Sequence, residues 1–554
     1  MILPTKDSVS TANSAGAVSG TSTLPPVLGR LLSGTFWLAL RVPLQVLLSL
    51  WQMRLILQAI GPFENGAYGF AWGFGFFQFL FEFGASSALQ RQISEVWTRG
   101  DREGVNRAIA CGMNFYLAMA ILQIAALLGV AYWALPHSTL QPSSYPLVVK
   151  LLWLQAVTAP CFGFSVVVSS VLQAARRYDF VPRFELAIVI LRFVVLFVGL
   201  RLLHINFFWV VAMQTAVQVG LGLGPALWVM IHELGFMPHF QGARWVDYKA
   251  LSHISLYVAL IQISVVLADR VDITILGFLI PKDSEAAITV YGAVSKPFAQ
   301  LRQTGWMLAY LVMPAVASLA AARDLRGLDR VRYDGTRLHI GALLPIGVLA
   351  WIYAAPFLSL WLGDQQWEDI HKLGYDLLDV AFLMRLFLIA TIPLVLSVPA
   401  QMAIGINKIK FIALAALAGS IVNLPISCYL TIRLGVSGVI WGTVLTTLFS
   451  NLLIPGVYLF RTLEINPRIY LKRTLAPPLA GTAALLICTG FFRVFSPVPN
   501  TGEHPRARTV LLFMHLMVGT VAYIMGYLRV PNGRADLTEI AAKVRRRRVQ
   551  DLKQ

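Results

Sequence analysis

FIALAALAGSIVNLPISCYLTIRLGVSGVIWGTVLTTLFSNLLIPGVYLF, residues 411–460, holds two apolar segments that begin near Phe411 and Gly435, with Arg433 as its one charged residue. A helix rises about 1.5 Å per residue, so about 20 apolar residues cross a hydrocarbon layer about 30 Å thick. Both segments meet that length. Outward from this stretch, segments of the same kind begin near Leu31, Glu64, Gly104, Tyr145, Asp179, Ile205, Lys249, Ile288, Gly335, Leu377, Leu475 and Arg508, making about fourteen in all. The pattern predicts an all-α integral membrane protein. Composition agrees: 57% of the 554 residues are hydrophobic and 13% charged, with a mean hydropathy of +0.68. Those values exclude a soluble domain of this size.

The cations sort onto alternate loops. Arg91, Arg99, Arg102 and Arg107 follow the second segment, Arg176, Arg177 and Arg183 the fourth, Arg244 and Lys249 the sixth, Arg323 to Arg337 the eighth, Lys408 and Lys410 the tenth, and Arg461 to Arg473 the twelfth. The intervening loops are nearly bare, and the one around Asp364–Asp376 is acidic. Positively charged loops stay in the cytoplasm, so both termini are expected inside and the protein in the cytoplasmic (inner) membrane. The net charge of +18 therefore points to anionic membrane lipids as partners rather than to nucleic acid. Cys111, Cys161, Cys428 and Cys488 lie inside apolar segments without metal-ligand spacing and read as core fillers.

Residues 1–28, rich in Ser, Thr, Ala and Gly, read as a disordered cytoplasmic leader. At the other end Leu537, Ile540 and Val544 recur at helical spacing ahead of Arg545, Arg546, Arg547 and Arg548. That pattern fits either a helix lying on an anionic leaflet or a solvated basic tail.

A shift of 223 residues aligns Tyr68 and Gly69 with Tyr291 and Gly292, and Asp101, Gly104 and Arg107 with Asp324, Gly327 and Arg330. A second correspondence sets Gln173–Phe180 beside Ala403–Phe411. An even block of six helices preserves orientation, so the expectation is two parallel six-helix repeats with two helices appended. The boundaries follow: leader 1–28, first lobe 29–233, linker 234–248, second lobe 249–461, appended helices 462–530 and basic tail 531–554.

LQAIGPFENGAYGFAWGFGFFQFLFEFGASSALQRQISE (57–95), DRVDITILGFLIPKDSEAAITVYGAV (269–294) and RLGVSGVIWGTVLTTLFSNLLIPGVYLF (433–460) resemble the corresponding passages of Wzx-type polysaccharide flippases. These belong to the multidrug/oligosaccharidyl-lipid/polysaccharide exporter superfamily. The resemblance spans about residues 30–465. It implies a V-shaped bundle lined by helices one, two, seven and eight, which moves undecaprenyl-diphosphate-linked oligosaccharide from the inner to the outer leaflet alongside other polysaccharide assembly proteins.

Ionisable residues stranded at membrane depth reach the same question from the residues themselves, because each is costly unless paired or facing water. Helix one carries Arg41 and Arg54, helix seven Asp269, Arg270 and Asp272, and helix eight Lys296 and Arg302. Five cations against two carboxylates in a shared aqueous cavity would attract an anion, and arginine forks suit a diphosphate. The bland alternative is a static bridge in which Asp269 and Asp272 neutralise Arg270 and a neighbour. Glu82, set among the aromatics of FAWGFGFFQFLFEFG, is a candidate for taking up and releasing a proton; the competing reading pairs it with Arg41 or Arg54. The aromatics form two stripes, one facing lipid and the other offering contact to sugar faces or an isoprenoid chain. Pro43 and Pro297 beside these cations predict kinks.

No GxxxxGK[ST] occurs, so the chain has no P-loop and energy must come from an ion gradient, the membrane potential or consumption of product. No cofactor is expected. The rivals to a polysaccharide flippase are a lipid-linked peptidoglycan or teichoic precursor flippase, a multidrug-type exporter, and a membrane-embedded polymerase or ligase. An enzyme is disfavoured by the lack of a large outer loop, and an exporter of organic cations by the cationic cavity.

The topology is directly testable. Single cysteines within Asp364–Asp376 are expected to react with an impermeant thiol reagent in intact cells, and those within Arg323–Arg337 only after lysis. Labelling of the second group in intact cells overturns the orientation.

Overall fold

The computed structural model describes residues 26–539 and 542, apart from 83, 178–179, 254–259, 261–262, 268–269, 282, 311, 407 and 502–503. Residues 1–25 of the leader, Asp269, Ile540, Val544 and the Arg545–Arg548 run lie outside the described residues, and the leader's last three residues, 26–28, belong to the first helix. Among the described residues the regular secondary structure is helical, and eleven of the helices are long and apolar enough to cross a membrane. The chain is an all-α, multi-pass membrane protein.

The first half comprises α1 (Pro26–Gly73), α2 (Phe76–Glu82), α3 (Ala85–Thr98), α4 (Arg102–Gly129), α5 (Tyr145–Ala174), α6 (Phe180–Phe197) and α7 (Phe207–Trp228). The second comprises α8 (Trp245–His253), α9 (Asp272–Leu279), α10 (Ser284–Tyr310), α11 (Val312–Ala321), α12 (Leu325–Arg330), α13 (Thr336–Ile352), α14 (Ala354–Leu362), α15 (Asp364–Lys372), α16 (Leu377–Ile389), α17 (Ser397–Gly405), α18 (Lys410–Leu434), α19 (Val436–Thr447) and α20 (Ile454–Thr462). Two appended helices, α21 (Ala476–Phe495) and α22 (Pro505–Arg529), pack on each other and on α13.

Most expected starts recur within a few residues. The span expected at Gly335 begins earlier, at Leu325, and runs through a π turn at Val331–Gly335. The acidic stretch around Asp364–Asp376 is not an extended loop, since most of it is α15. Helix one and helix two are separated by a break at Gly61, whose φ of 75° and ψ of 177° suit glycine alone. Pro62 then opens the second helix, where its missing N–H costs nothing. The helices continue through Pro43 and Pro297 without a break. The second helix breaks instead at glycines, between Gly73 and Phe76 and at Gly84, where φ is 73°.

The weak repeat has a physical cause. Asp101 and Asp324 cap α4 and α12 with nearly identical backbone angles, φ/ψ of −79°/89° and −80°/86°. Each side chain accepts from the backbone N–H three residues on, Gly104 at 2.8 Å and Gly327 at 2.9 Å. That is helix N-capping, and Gly leaves room for the carboxylate.

Core packing defines a V. One cluster draws on both halves, joining Met53, Phe70 and Leu151 to Ile275, Val294, Phe387 and Val439. Away from it the core divides. Leu89, Ile109, Val167 and Met230 pack in the first arm with Leu251 of α8, while Val316, Tyr333, Ala403, Leu459 and Tyr470 pack in the second. Apart from α8, which packs in the first arm and whose Tyr248 Oη accepts from Asn114 Nδ2 at 3.0 Å, the halves are bonded to each other at the joined end. Thr289 Oγ1 donates to the Pro62 carbonyl at 2.6 Å and accepts from Asn65 Nδ2 at 3.1 Å. Thr139 Oγ1 donates to the Gly277 carbonyl at 3.0 Å. Glu285 Oε1 accepts from the Gln141 N–H at 2.7 Å and Ser144 Oγ at 2.9 Å. Gly66 lets α1 approach α10 so closely that a Cβ there would sit 2.0 Å from the Glu285 carbonyl oxygen.

Gly66→Val is therefore expected to part the halves at this end. Cysteines substituted at Asn65 and Thr289 should form a disulfide in the parent and fail to do so in Gly66→Val. Gly129→Val, where a Cβ meets nothing within 4 Å, should leave cross-linking intact.

Candidate functional site

The cleft between the arms is flanked by α1 and α10, which pack on each other at the joined end and carry four of the five expected cations. At about 1.5 Å per residue, Arg41 lies about 30 Å along its helix from Gly61, and Arg302 about 27 Å along α10 from Ser284. The two arginines thus lie at matching depths on opposite sides of the seam, with Lys296 nearer the vertex.

Their partners differ. Arg41 Nη1 donates to Glu185 Oε2 of α6 in a half-buried ion pair. Arg302 lies over the Phe298 ring, 5.2 Å from its centroid, and is partly buried. Arg270 is exposed and lies 5.8 Å from the centroid of Phe79, reaching from the second half to the first. Lys296 is partly buried and has no hydrogen-bonding partner among the described residues. Arg54 is drawn to the joined end, where its Nη1 donates to the Leu360 carbonyl at 3.1 Å. Trp361 Nε1 returns a bond to the Leu50 carbonyl at 2.8 Å, so α1 and α14 clasp each other reciprocally. A cation at the last turn of α14 is also favoured by the helix dipole.

The competing reading, in which Glu82 pairs with Arg41 or Arg54, is not what the structure shows: the Glu82 Oε1 accepts from Tyr116 Oη at 3.3 Å. Asp272 is buried, 1% exposed, and its Oδ2 accepts from Tyr291 Oη at 2.7 Å and Thr443 Oγ1 at 3.0 Å. On the neighbouring helix, Asn423 Oδ1 accepts from Ser427 Oγ at 3.0 Å and Thr446 Oγ1 at 2.8 Å. These bonds gather buried oxygens of α9, α10, α18 and α19 into a nest. Among the described residues no cluster of three His, Cys, Asp or Glu side chains can hold a metal ion.

Three ionisable residues escaped the sequence reading. Glu185 and Arg192 lie two turns apart on one face of α6, and Arg192 Nε is buried without a partner among the described residues. Both stood in an apolar run, FELAIVILRF, and the rule that flags charges at membrane depth applies to them as it does to Arg41. Glu285, 0% exposed, looked like a loop residue because only the fold brings the Gln141–Ser144 turn onto it.

A separate apolar cavity of about 370 Å³ opens between α13, α16 and α21, lined by Leu343, Gly347, Ile389, Leu394 and Leu486 among others. His339 and Thr482 are among its few polar residues.

No family model matches the chain. A curated relative, the uncharacterized membrane protein EpsK of Bacillus subtilis (strain 168), is 26% identical over 236 residues. That match takes in 41% of this chain and 43% of the relative, so the alignment spans less than half of the curated relative's length. Solved structures match over far more. The lipid II flippase MurJ in an inward closed conformation superposes with a TM-score of 0.66 at 13% identity, covering 90% of this chain and 98% of its own. An inward-facing multidrug resistance MATE family transporter of the MOP superfamily gives 0.56 at 14% identity, covering 80% and 99%. The eukaryotic MATE transporter AtDTX14 gives 0.55 at 12%, covering 79% and 98%. The chain has the fold that these membrane transporters share.

Proposed function

We propose that this protein is a flippase which carries an undecaprenyl-diphosphate-linked oligosaccharide across the cytoplasmic membrane, with both termini in the cytoplasm, for synthesis of a cell-surface polysaccharide. The observation that carries this reading is the pair of arginines, Arg41 and Arg302, at matching depths on the two helices that meet at the vertex of a V. Arg270 and Lys296 add to the positive field. A diphosphate entering the cleft meets forked donors on both sides, and Lys296 supplies a point charge. The apolar cavity beside α13 and α21 offers its prenyl chain a dry surface.

Under this orientation the joined end faces outward and the arms are parted toward the cytoplasm. Each bond of the seam is worth about 1 kcal/mol in a membrane, so opening the outer end requires several such bonds to be offset by substrate or ion binding. Arg54 contributes to that closure here and is free to meet the diphosphate once α14 moves away. The two six-helix lobes, 29–233 and 249–461, then act as the rocking bodies of alternating access.

Coupling is assigned to carboxylates whose occupancy changes with the cycle: Asp272 in its oxygen nest, with Asp269 and Glu82 as further candidates. The pairing of Arg41 with Glu185 adds one more, because a proton on Glu185 would release Arg41 for the diphosphate. A lipid-linked peptidoglycan precursor is the second reading, favoured by the superposition on the lipid II flippase over 90% of the chain.

A deletion strain should accumulate one lipid-linked glycan in the cytoplasmic leaflet; its chemistry decides between a polysaccharide repeat unit and a peptidoglycan precursor, and no accumulation of either overturns both. Arg302→Ala is expected to abolish flipping in vesicles while leaving folded protein in the membrane, and Arg302→Lys to restore it in part because the fork is lost. Normal export with Arg41, Lys296 and Arg302 all changed to Ala would defeat the anion site. Asp272→Asn and Glu185→Gln should keep lipid-linked substrate binding but uncouple transport from the gradient. Transport unchanged by collapse of both proton and sodium gradients removes the coupling role.

A further inference from the structure

Where the span Pro467–Phe495 begins and the span Pro505–Arg529 ends, the surface folds into a pocket of about 320 Å³ lined by Arg468, Ile469, Lys472, Arg473 and Asn532. Three of these residues are cations, one is a carboxamide, and no acid lines the pocket.

The wall behind it is rigid. Arg473 Nε and Nη2 donate to the two oxygens of Asp334 at 2.9 and 2.6 Å, and its guanidinium lies 5.4 Å from the Tyr333 centroid. Asp334 also accepts from Arg337 at 2.9 Å, and Arg337 in turn forks onto Asp536 at 2.8 and 2.5 Å. In this network two arginines meet two aspartates and the charge cancels. Arg468 and Lys472 remain, with no side-chain hydrogen-bond partner among the described residues, so the pocket carries two uncompensated positive charges. The first backbone N–H groups of the span are already taken, since Asn466 Oδ1 accepts from Arg468 N at 3.0 Å and Ile469 N at 3.3 Å. Any anion here must be held by side chains.

Height and flank identify the occupant. Pro467 and Arg529 bound two spans at the same end of the bundle, which sets the pocket where hydrocarbon gives way to headgroups. Ile469 lines the pocket itself, and Leu479, seven residues on from Lys472 and so on its face of the span, also turns outward, 45% and 50% exposed. A free phosphate has no use for such a flank, whereas a phospholipid does. We propose that this pocket binds the phosphodiester headgroup of an anionic phospholipid, with the acyl chains laid along Ile469 and Leu479. The lipid would brace the appended helices against the second arm through the Arg473–Asp334–Arg337–Asp536 chain. This inference stands apart from the identity of the transported substrate.

The test uses the full chain in detergent, with native mass spectrometry reading bound phosphatidylglycerol against phosphatidylcholine of the same acyl length. Phosphatidylglycerol is expected to bind preferentially. Arg468→Gln with Lys472→Gln should weaken it about 30-fold, the factor that two interfacial cations supply. Arg468→Lys with Lys472→Arg, which keeps both charges, should retain it, separating lost charge from misfolding. Arg323→Gln with Arg326→Gln, exposed cations outside any pocket at the same end, should change nothing. Equal binding of phosphatidylcholine, undiminished binding in the double Gln variant, or displacement by inorganic phosphate at matched concentration overturns the proposal.

Discussion

Everything else in this molecule depends on how closely α1 approaches α10 at Gly66. In hydrocarbon, helices gain nothing by hiding apolar surface from one another, because lipid is as apolar as leucine; association has to come from close packing and hydrogen bonds. Gly66 supplies the first, and the Thr289, Glu285 and Thr139 bonds the second. Because these contacts gather at one end, the two halves are hinged rather than fused. The arms beyond have cores of their own, as the proposed rocking of one against the other requires. A seam of many small bonds, none of them a buried ion pair, is also easier to make and break than one strong contact.

The architecture was largely legible because it rests on one-dimensional quantities. Segment length sets the number of crossings, and the alternation of Lys and Arg groups the loops by side. The repeat was barely visible, yet its surviving residues are the ones with a backbone duty: Asp101 and Asp324 must accept from a helix N–H, and Gly104 and Gly327 must leave space for them. Apolar positions facing lipid are interchangeable, so the rest of the repeat has drifted. Breaks are hard to read for a related reason. Pro43 and Pro297 are conspicuous in sequence, but a proline only removes one bond and its helix can continue, whereas Gly61 takes a backbone conformation that ends it.

The candidate site was legible as a list of charges and illegible as a set of partners. Arg41, Arg270, Lys296 and Arg302 were found because a charge in an apolar run is anomalous wherever it sits. Pairing is a three-dimensional property. Glu185 lies 144 residues from Arg41, and nothing in either segment points to the other. Tyr116 takes the place beside Glu82 that the competing reading gave to an arginine. The oxygen nest at Asp272 was half seen, because hydroxyls and carboxamides such as Thr443 and Asn423 carry no charge to mark them.

Glu285 shows how the seam and the cleft are tied together. Its Oε1 accepts two bonds from the Gln141–Ser144 turn of the first half, while Oε2 is buried with no partner among the described residues. A carboxylate held this way is well satisfied on one side and poorly on the other, so the closed end keeps part of its desolvation cost in reserve. When the halves part, water reaches both oxygens and that cost is returned, which lowers the free-energy difference between closed and open. The packing of Gly66 acts in the opposite direction by holding the seam shut. In the proposed cycle these two terms oppose each other at one place, and a substrate held at Arg41 and Arg302 would shift the balance by its differential affinity for the two states.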